Sequence, residues 1–180
     1  MSFAVWLTGL SGSGKSAIAR ELVSRLQARG LEPAVLESDV LRTQLTPHAS
    51  YSGAERDFFY AGLAQLGVWI VGQGRPVVFD ATANRRAYRD AARAQIGRFA
   101  EVFVDTPLEV CAARDVKGLY RAAREGRSET LPGAQAAYEP ALAPELVLHG
   151  DRGTPAEAAA VIGDWLTARG WLAGATSRGA

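Results

Sequence analysis

Residues Gly9-Leu10-Ser11-Gly12-Ser13-Gly14-Lys15-Ser16 fit the spacing G-x-x-x-x-G-K-[ST], and no other stretch constrains the fold of this chain so strongly. An apolar run, Phe3 to Leu7, precedes them, and a helix-forming stretch, Ala17 to Arg29, follows. Between a strand and a helix this spacing has a physical meaning. The glycines let successive backbone N–H groups turn toward one anion, and the helix start adds its positive dipole end. Lys15 would reach the β- and γ-phosphates and the Ser16 hydroxyl would hold Mg²⁺. The alternative is a chance Gly/Ser turn, against which the flanking strand and helix both count. The sequence therefore specifies a site for a nucleoside triphosphate on Gly9, Leu10, Ser11, Gly12, Ser13, Gly14, Lys15, Ser16 and, opening the helix, Ala17.

At 180 residues, with 48% hydrophobic and 22% charged residues, the chain suits one soluble enzyme domain with a substantial core. A net charge of +1 supplies no field for a long polynucleotide or an anionic membrane. The single cysteine, Cys111, excludes an internal disulfide framework, and the N-terminal apolar run is too short for a signal or a span. Together these point to a cytoplasmic protein with no membrane association. Of 20 basic residues only Lys15 and Lys117 are lysine. A chain that otherwise uses arginine places a compact ammonium at the loop, so Lys117 shares that suspicion, with an ordinary surface lysine as the alternative.

Strand-like runs are expected at Phe3–Thr8, Ala34–Glu37, Pro76–Asp80, Glu101–Val104 and Glu145–Leu148. Helices are expected at Lys15–Arg29, Ala54–Gly72, Arg85–Gly97, Leu108–Glu125 and Pro155–Arg169, with a short one at Val40–Leu45. Thr106-Pro107-Leu108-Glu109 and Thr154-Pro155-Ala156-Glu157 each read as a capping box with proline in the first turn. This alternation predicts an α/β fold, a three-layer P-loop sandwich around a five-stranded, mostly parallel sheet. Its crevice lies beyond the carboxyl ends of the strands, at Thr8–Ser16, Glu37–Arg42, Asp80–Arg86 and Asp105–Thr106. Residues 1–172 form one domain, with a lid around 117–137 and a flexible tail at 173–180.

Phosphoryl transfer depends on positioning and charge neutralisation, so carboxylates, arginines and a lid are the groups to find. Asp39 can orient an acceptor hydroxyl, accept its proton or hold Mg²⁺ through water; the alternative is a helix cap for Val40–Leu45. Asp80, at the end of Val77-Val78-Phe79, stands where a second metal-binding carboxylate belongs, unless it only shapes the turn at Thr82. Arginines 42, 56, 85, 86, 89, 114, 121, 124 and 127 surround the expected crevice, more than a ligand needs. Phe58-Phe59-Tyr60, near Tyr51, could stack a base, but helical spacing favours the core for Phe58 and Phe59. His48 and His149 have no partners at metal-ligand spacing, and Cys111 packs in a helix.

From Glu101-Val-Phe-Val-Asp-Thr-Pro-Leu-Glu-Val-Cys111 through Arg114-Asp115-Val116-Lys117-Gly118-Leu119-Tyr120 to Arg124, and at Tyr138-Glu139 and Pro144-Glu145, the chain resembles the adenylylsulfate kinases. These use ATP to phosphorylate the 3′-hydroxyl of adenosine 5′-phosphosulfate in sulfate assimilation. The resemblance, with the phosphate loop, covers roughly residues 3–170. It implies that Asp39 and Arg42 match the Asp and Arg of the family's Asp-Gly-Asp-x-x-Arg segment and lie at the acceptor. It likewise implies that Arg56, Tyr51, Lys117, Gly118 and Leu119 meet the acceptor or lid. Arg114 would flank the ATP base, Leu131 replaces a lid aromatic, and Asn84 stands where some members carry a phosphorylated serine.

Three departures stand in the middle of the chain. Glu37-Ser38 replaces Asp-Gly, and Phe59 and Ala61 replace an Asn and an Arg. Asp80-Ala81-Thr82-Ala83-Asn84-Arg85-Arg86 replaces a Ser-Ala-Phe-Ile-Ser-Pro-Tyr segment and looks more like other P-loop kinases. The expectation is an ATP- and Mg²⁺-dependent kinase with Lys15 and Asp39 as catalytic residues and Ser16, Asp39 and Asp80 toward the metal. Its acceptor is adenosine 5′-phosphosulfate or, alternatively, another small nucleotide, a metabolite or a nucleic-acid end. A non-catalytic nucleotide switch is a third reading, and the assembly is left open by the sequence, a homodimer included.

Overall fold

The computed structural model describes residues 2–46, 49–128 and 130–172. The tail at 173–180, His48 and one residue of the expected lid lie outside the described residues. Strands β1 (Ala4–Thr8), β2 (Ala34–Glu37), β3 (Val77–Asp80), β4 (Phe99–Asp105) and β5 (Leu146–His149) form one sheet in the order β2-β3-β1-β4-β5, and every pairing is parallel. Helices α1 (Lys15–Gln27), α2 (Ser38–Leu45), α3 (Gly53–Gly72), α4 (Arg86–Arg93), α5 (Leu108–Arg114), α6 (Leu119–Arg124) and α7 (Pro155–Ala168) complete the layers. None of these is long and apolar enough to cross a membrane.

Every residue of β1 is buried, so its side chains divide between two cores by the two-residue period of a strand. Val5 and Leu7 pack with Ile18, Leu22 and Leu26 of α1 and Ile162 and Leu166 of α7. Ala4 and Trp6 face Phe59 and Leu63 of α3 and Tyr88 and Ala92 of α4. Trp6 stacks on Phe79 at 4.2 Å and its indole N–H donates to the carbonyl of Ala81 at 3.1 Å. A Cβ at Gly67 would lie 2.0 Å from the Phe79 ring, so that glycine is what lets α3 sit against β3.

Four expectations need correction. The stretch 108–125 is two helices, because Asp115 takes a positive φ of 26° and its carboxylate accepts the amides of Tyr120 and Arg121, both at 2.9 Å. A side chain that satisfies the orphan amides of a new helix start competes with continuing the old one. Thr106 is not a cap: the cap position is Pro107, with no side-chain bond, and the Thr106 hydroxyl donates to the carbonyl of Ser13 at 3.0 Å. Phe59 is buried but Phe58 is 79% exposed, since the face of α3 that carries Phe58 points away from the sheet. The helix expected over 85–97 stops at Arg93, and β4 already starts at Phe99. The second capping box does form: Thr154 accepts from the amide of Glu157 while Glu157 accepts from that of Thr154.

Candidate active site

The loop between β1 and α1 issues from the centre of the sheet, where successive connections leave to opposite sides. Gly14, at the cap of α1, has φ 103°, and a Cβ at Gly12 would meet the carbonyl oxygen of Cys111 at 2.9 Å. Neither position tolerates an L side chain without moving the loop. Lys15 is buried, and its ammonium donates to the carbonyls of Gly9 at 3.0 Å and Leu10 at 2.7 Å. Burial lowers its pKa, opposed by the negative charges of Asp80 and Asp39. The Ser13 hydroxyl is buried with no hydrogen-bond partner among the described residues. A loop that holds a desolvated cation and an orphan hydroxyl under turned glycines is built for an anion.

Distant parts of the chain hold this loop. Beyond the Thr106 bond, the Arg114 guanidinium donates to the carbonyls of Gly12 at 3.1 Å and Gly150 at 2.8 Å. The Tyr120 hydroxyl donates to the carbonyl of Ser11 at 2.9 Å. Leu131, which takes the place of a lid aromatic, packs with Cys111, Tyr120 and Leu10, and a Cβ at the neighbouring Gly133 would meet Leu10 at 2.5 Å. The segment after α6 thus rests on the loop through an apolar contact that draws Leu131 inward. The hold of Thr106, Tyr120 and Gly150 on the loop was not read from sequence, because Thr106 and Tyr120 bond to it from more than ninety residues away and Gly150 reaches it through Arg114.

Asp39 lies in the first turn of α2, not at its cap, and makes an ion pair with Lys117 across the crevice. Burial works against the Lys117 charge, but the Asp39 carboxylate outweighs it and raises the lysine's pKa. Gly118, with φ 67°, and Leu119 open α6 beside that pair. Asp80 is buried at the tip of β3, level with Leu7, and makes no ion pair or side-chain hydrogen bond among the described residues. Ser16 stands in the first turn of α1. No group of three or more His, Cys, Asp or Glu among the described residues could cage a metal. One hydroxyl with one or two carboxylates is instead the set that suits Mg²⁺ arriving on a triphosphate, since this ion keeps several waters.

On the acceptor side, Arg42 is buried, pairs with Glu55 at 2.8 Å and lies 4.0 Å over the Phe59 ring. The departure Phe59 therefore supports the guanidinium from below, a cation–π contact. Arg56 donates to the carbonyl of Thr130 at 2.5 Å and Asn84 to that of Ala137 at 2.9 Å, so both reach the lid. Tyr51, Arg56, Asn84 and Arg85 line a cavity of about 250 Å³ closed by Thr130 and Ala137. Arg85 in its wall pairs with Asp57 at 2.8 Å. The structure thus brings Tyr51, Arg56 and Asn84 together, while Asp39 and Lys117 sit toward the loop and Leu131 lines nothing here. Arg89, one of the arginines suspected of ligand contact, is instead buried against Glu101 at 2.5 Å.

A phosphate loop leaving the central strand of a β2-β3-β1-β4-β5 parallel sheet, with Asp80 at the next strand tip, defines a P-loop kinase. The family model described as adenylylsulphate kinase matches residues 1–149, and the chain belongs to that family. It is 39% identical over 168 residues to an adenylyl-sulfate kinase of Microcystis aeruginosa, covering 93% of each chain. Against an adenylyl-sulfate kinase of Synechococcus it is 43% identical, over 79% of this chain and 81% of the relative. Among solved structures, the Mycobacterium tuberculosis APS kinase CysC in complex with AMPPNP and APS superposes with a TM-score of 0.86 at 36% identity, covering 92% of this chain and 98% of that one.

Proposed function

We propose that this chain transfers the γ-phosphoryl group of ATP to the 3′-hydroxyl of adenosine 5′-phosphosulfate. The observation that carries the proposal is the crevice itself. The buried Lys15 ammonium at the loop and the Asp39 carboxylate on α2 face one space, and a cavity walled by Arg56 and Asn84 adjoins the lid. The triphosphate lies on residues 9–16, with loop amides and Lys15 toward its β- and γ-oxygens. Mg²⁺, when bound, would neutralise phosphate charge, and Ser16 and Asp80 are the residues that would hold it. The acceptor's adenine lies against Tyr51 and its anionic end near Arg42 and Arg56. Asp39 leaves Lys117 to orient the 3′-hydroxyl. As the hydroxyl oxygen bonds to the γ-phosphorus, the bond to the ADP oxygen breaks and the proton passes to Asp39, while Lys117 swings to the charged phosphates. Coupled ADP release on adding adenosine 5′-phosphosulfate with ATP tests this, and no release with that acceptor removes it.

Arg85 favours a second reading of the acceptor alone. A guanidinium in the cavity wall fits another small anionic nucleotide or metabolite as well as a sulfate. The same assay run over a panel of nucleotide and sugar acceptors decides, the reading standing only where one of them outpaces adenosine 5′-phosphosulfate.

A further inference from the structure

Arg89, on α4, is 1% exposed, and its hydrogen bonds exceed what neutralising its charge requires. Its Nε donates to Glu101 at 2.5 Å, which balances the charge. Its two terminal nitrogens go elsewhere, one to the carbonyl of Ala83 and the other to that of Glu139 at 2.8 Å. Both carbonyls lie in segments that line the 250 Å³ cavity, Asn84 and Arg85 from one and Ala137 and Glu139 from the other. The two segments are bonded to each other as well. The Glu139 amide donates to the carbonyl of Asn84 at 2.8 Å, and the Arg86 amide donates to the Glu139 carboxylate at 2.8 Å. Ala83 shows why the turn needs holding. Its φ of 42° lies where an L side chain is disfavoured, so the conformation persists only if its surroundings fix it. Both of its backbone groups are gripped, the N–H by the buried Tyr60 hydroxyl at 3.1 Å and the carbonyl by Arg89.

We infer that Arg89 is a positioning residue for the acceptor: it touches no substrate, but fixes the β3–α4 turn and the segment around Glu139 at one spacing. Asn84 and Arg85 on the turn then keep a set distance from Ala137 and Glu139. The inference rests on the reading of this cavity as the acceptor's place. The planar fork of a guanidinium suits the task, since it can serve a carboxylate and two carbonyls at fixed angles. A lysine at this position could still neutralise Glu101, but its single ammonium lacks the fork that reaches both carbonyls. A residue present only for the ion pair would make that exchange harmless to the cavity. Arg93 supplies the contrast. It pairs with Glu145 at 2.6 Å and with the other oxygen of Glu101 at 3.3 Å, in the same charge cluster. Its nitrogens bond these two carboxylates and neither wall carbonyl.

Steady-state kinetics and amide exchange on the full chain test the assignment. Arg89→Lys should raise KM for adenosine 5′-phosphosulfate at least ~10-fold while KM for ATP stays within about twofold of native. Arg93→Met should lower the melting temperature and leave both KM values native, which separates loss of stability from loss of position. Should Arg89→Lys melt too early to assay, Arg89→Met with Glu101→Leu removes both partners of the buried pair. That double variant should regain melting temperature and still show the raised acceptor KM. In the ligand-free protein, the amides of Arg86 and Glu139 should exchange at least ~10-fold faster in Arg89→Lys, with those of β1 unchanged. The exchange arm needs no acceptor, so a native enzyme inert toward adenosine 5′-phosphosulfate removes the proposed function while exchange alone decides on Arg89. Native exchange at those two amides overturns the inference. So does an equal rise in both KM values, or a native acceptor KM in an active Arg89→Lys enzyme.

Discussion

Gly150 tests whether the phosphate loop is shaped by its own motif or by the residues beneath it. A Cβ built at Gly150 would lie 2.0 Å from the carbonyl oxygen of Ser13, 2.5 Å from the Thr106 hydroxyl and 3.0 Å from Val104. Two of these neighbours are the partners of the bond that pins the loop, and the Gly150 carbonyl also receives Arg114. Ser13 cannot swing aside like a flexible side chain, since its oxygen is backbone. In Gly150→Ala the loop or the β5–α7 turn must therefore move by about an ångström. Overpacking of this kind costs about 2–3 kcal/mol. For a domain of this size that is a fall of roughly 5–10 °C in melting temperature. Because the displaced atom belongs to the anion cradle, ATP affinity measured by calorimetry should fall at least about tenfold, or 1.4 kcal/mol. Gly163→Ala is the control: it lies in α7 with nothing within 4 Å of its Cβ, and should stabilise by up to about 1 kcal/mol. A Gly150→Ala protein with native melting temperature and native ATP affinity would refute the reasoning.

Three further outcomes follow from the site. Lys15→Met should abolish turnover yet raise the melting temperature of the ligand-free protein near neutral pH. Burial lowers the Lys15 pKa, so the folded state carries an unfavourable charge below that lowered value and sheds it as pH rises toward 10.5. The stability gap between Lys15→Met and native protein should therefore narrow with rising pH in scanning calorimetry. Asp39→Asn should lose at least about a hundredfold in kcat in the coupled assay while keeping its affinity for ATP, as expected of a group acting only on the acceptor proton. Arg85→Gln should raise KM for the anionic acceptor several-fold and leave KM for ATP unchanged, and equal shifts in both would take Arg85 out of the cavity's chemistry.

The sheet was legible in the sequence because its signals are local. A buried parallel strand reads as an unbroken apolar run, so β1, β2, β3 and β5 lie within a residue or so of their expected bounds. The loop was legible for the same reason. Failures came where one residue has two possible partners. Thr106 carries every local mark of a cap, and only the fold reveals that the carbonyl of Ser13, in the loop after the neighbouring strand β1, accepts its hydroxyl instead. Asp115 sits inside a helical pattern, but two amides of the next helix capture its carboxylate. Phe58 and Phe59 are adjacent aromatics, and period alone assigns a buried face to both when a helix can turn only one inward.

The same distinction separates the two halves of the site. The donor half rests on a contiguous run, and its geometry follows from glycines at the required positions. On the acceptor half, by contrast, groups from α2, α3, the β3–α4 turn and the lid converge, so each departure is read correctly only with its neighbours. Phe59 looks like the loss of a polar contact until it lies 4.0 Å beneath Arg42, where it orients that guanidinium. Arg85 is one of nine arginines the sequence places around the crevice, and the fold sets it in the wall beside Arg56. Phe59 and Arg85 thus stand where they brace or extend the cationic groups on this side of the crevice. Under the proposed function, the choice of acceptor turns on how Arg42, Arg56 and Arg85 are braced, more than on which single side chains differ from the family pattern.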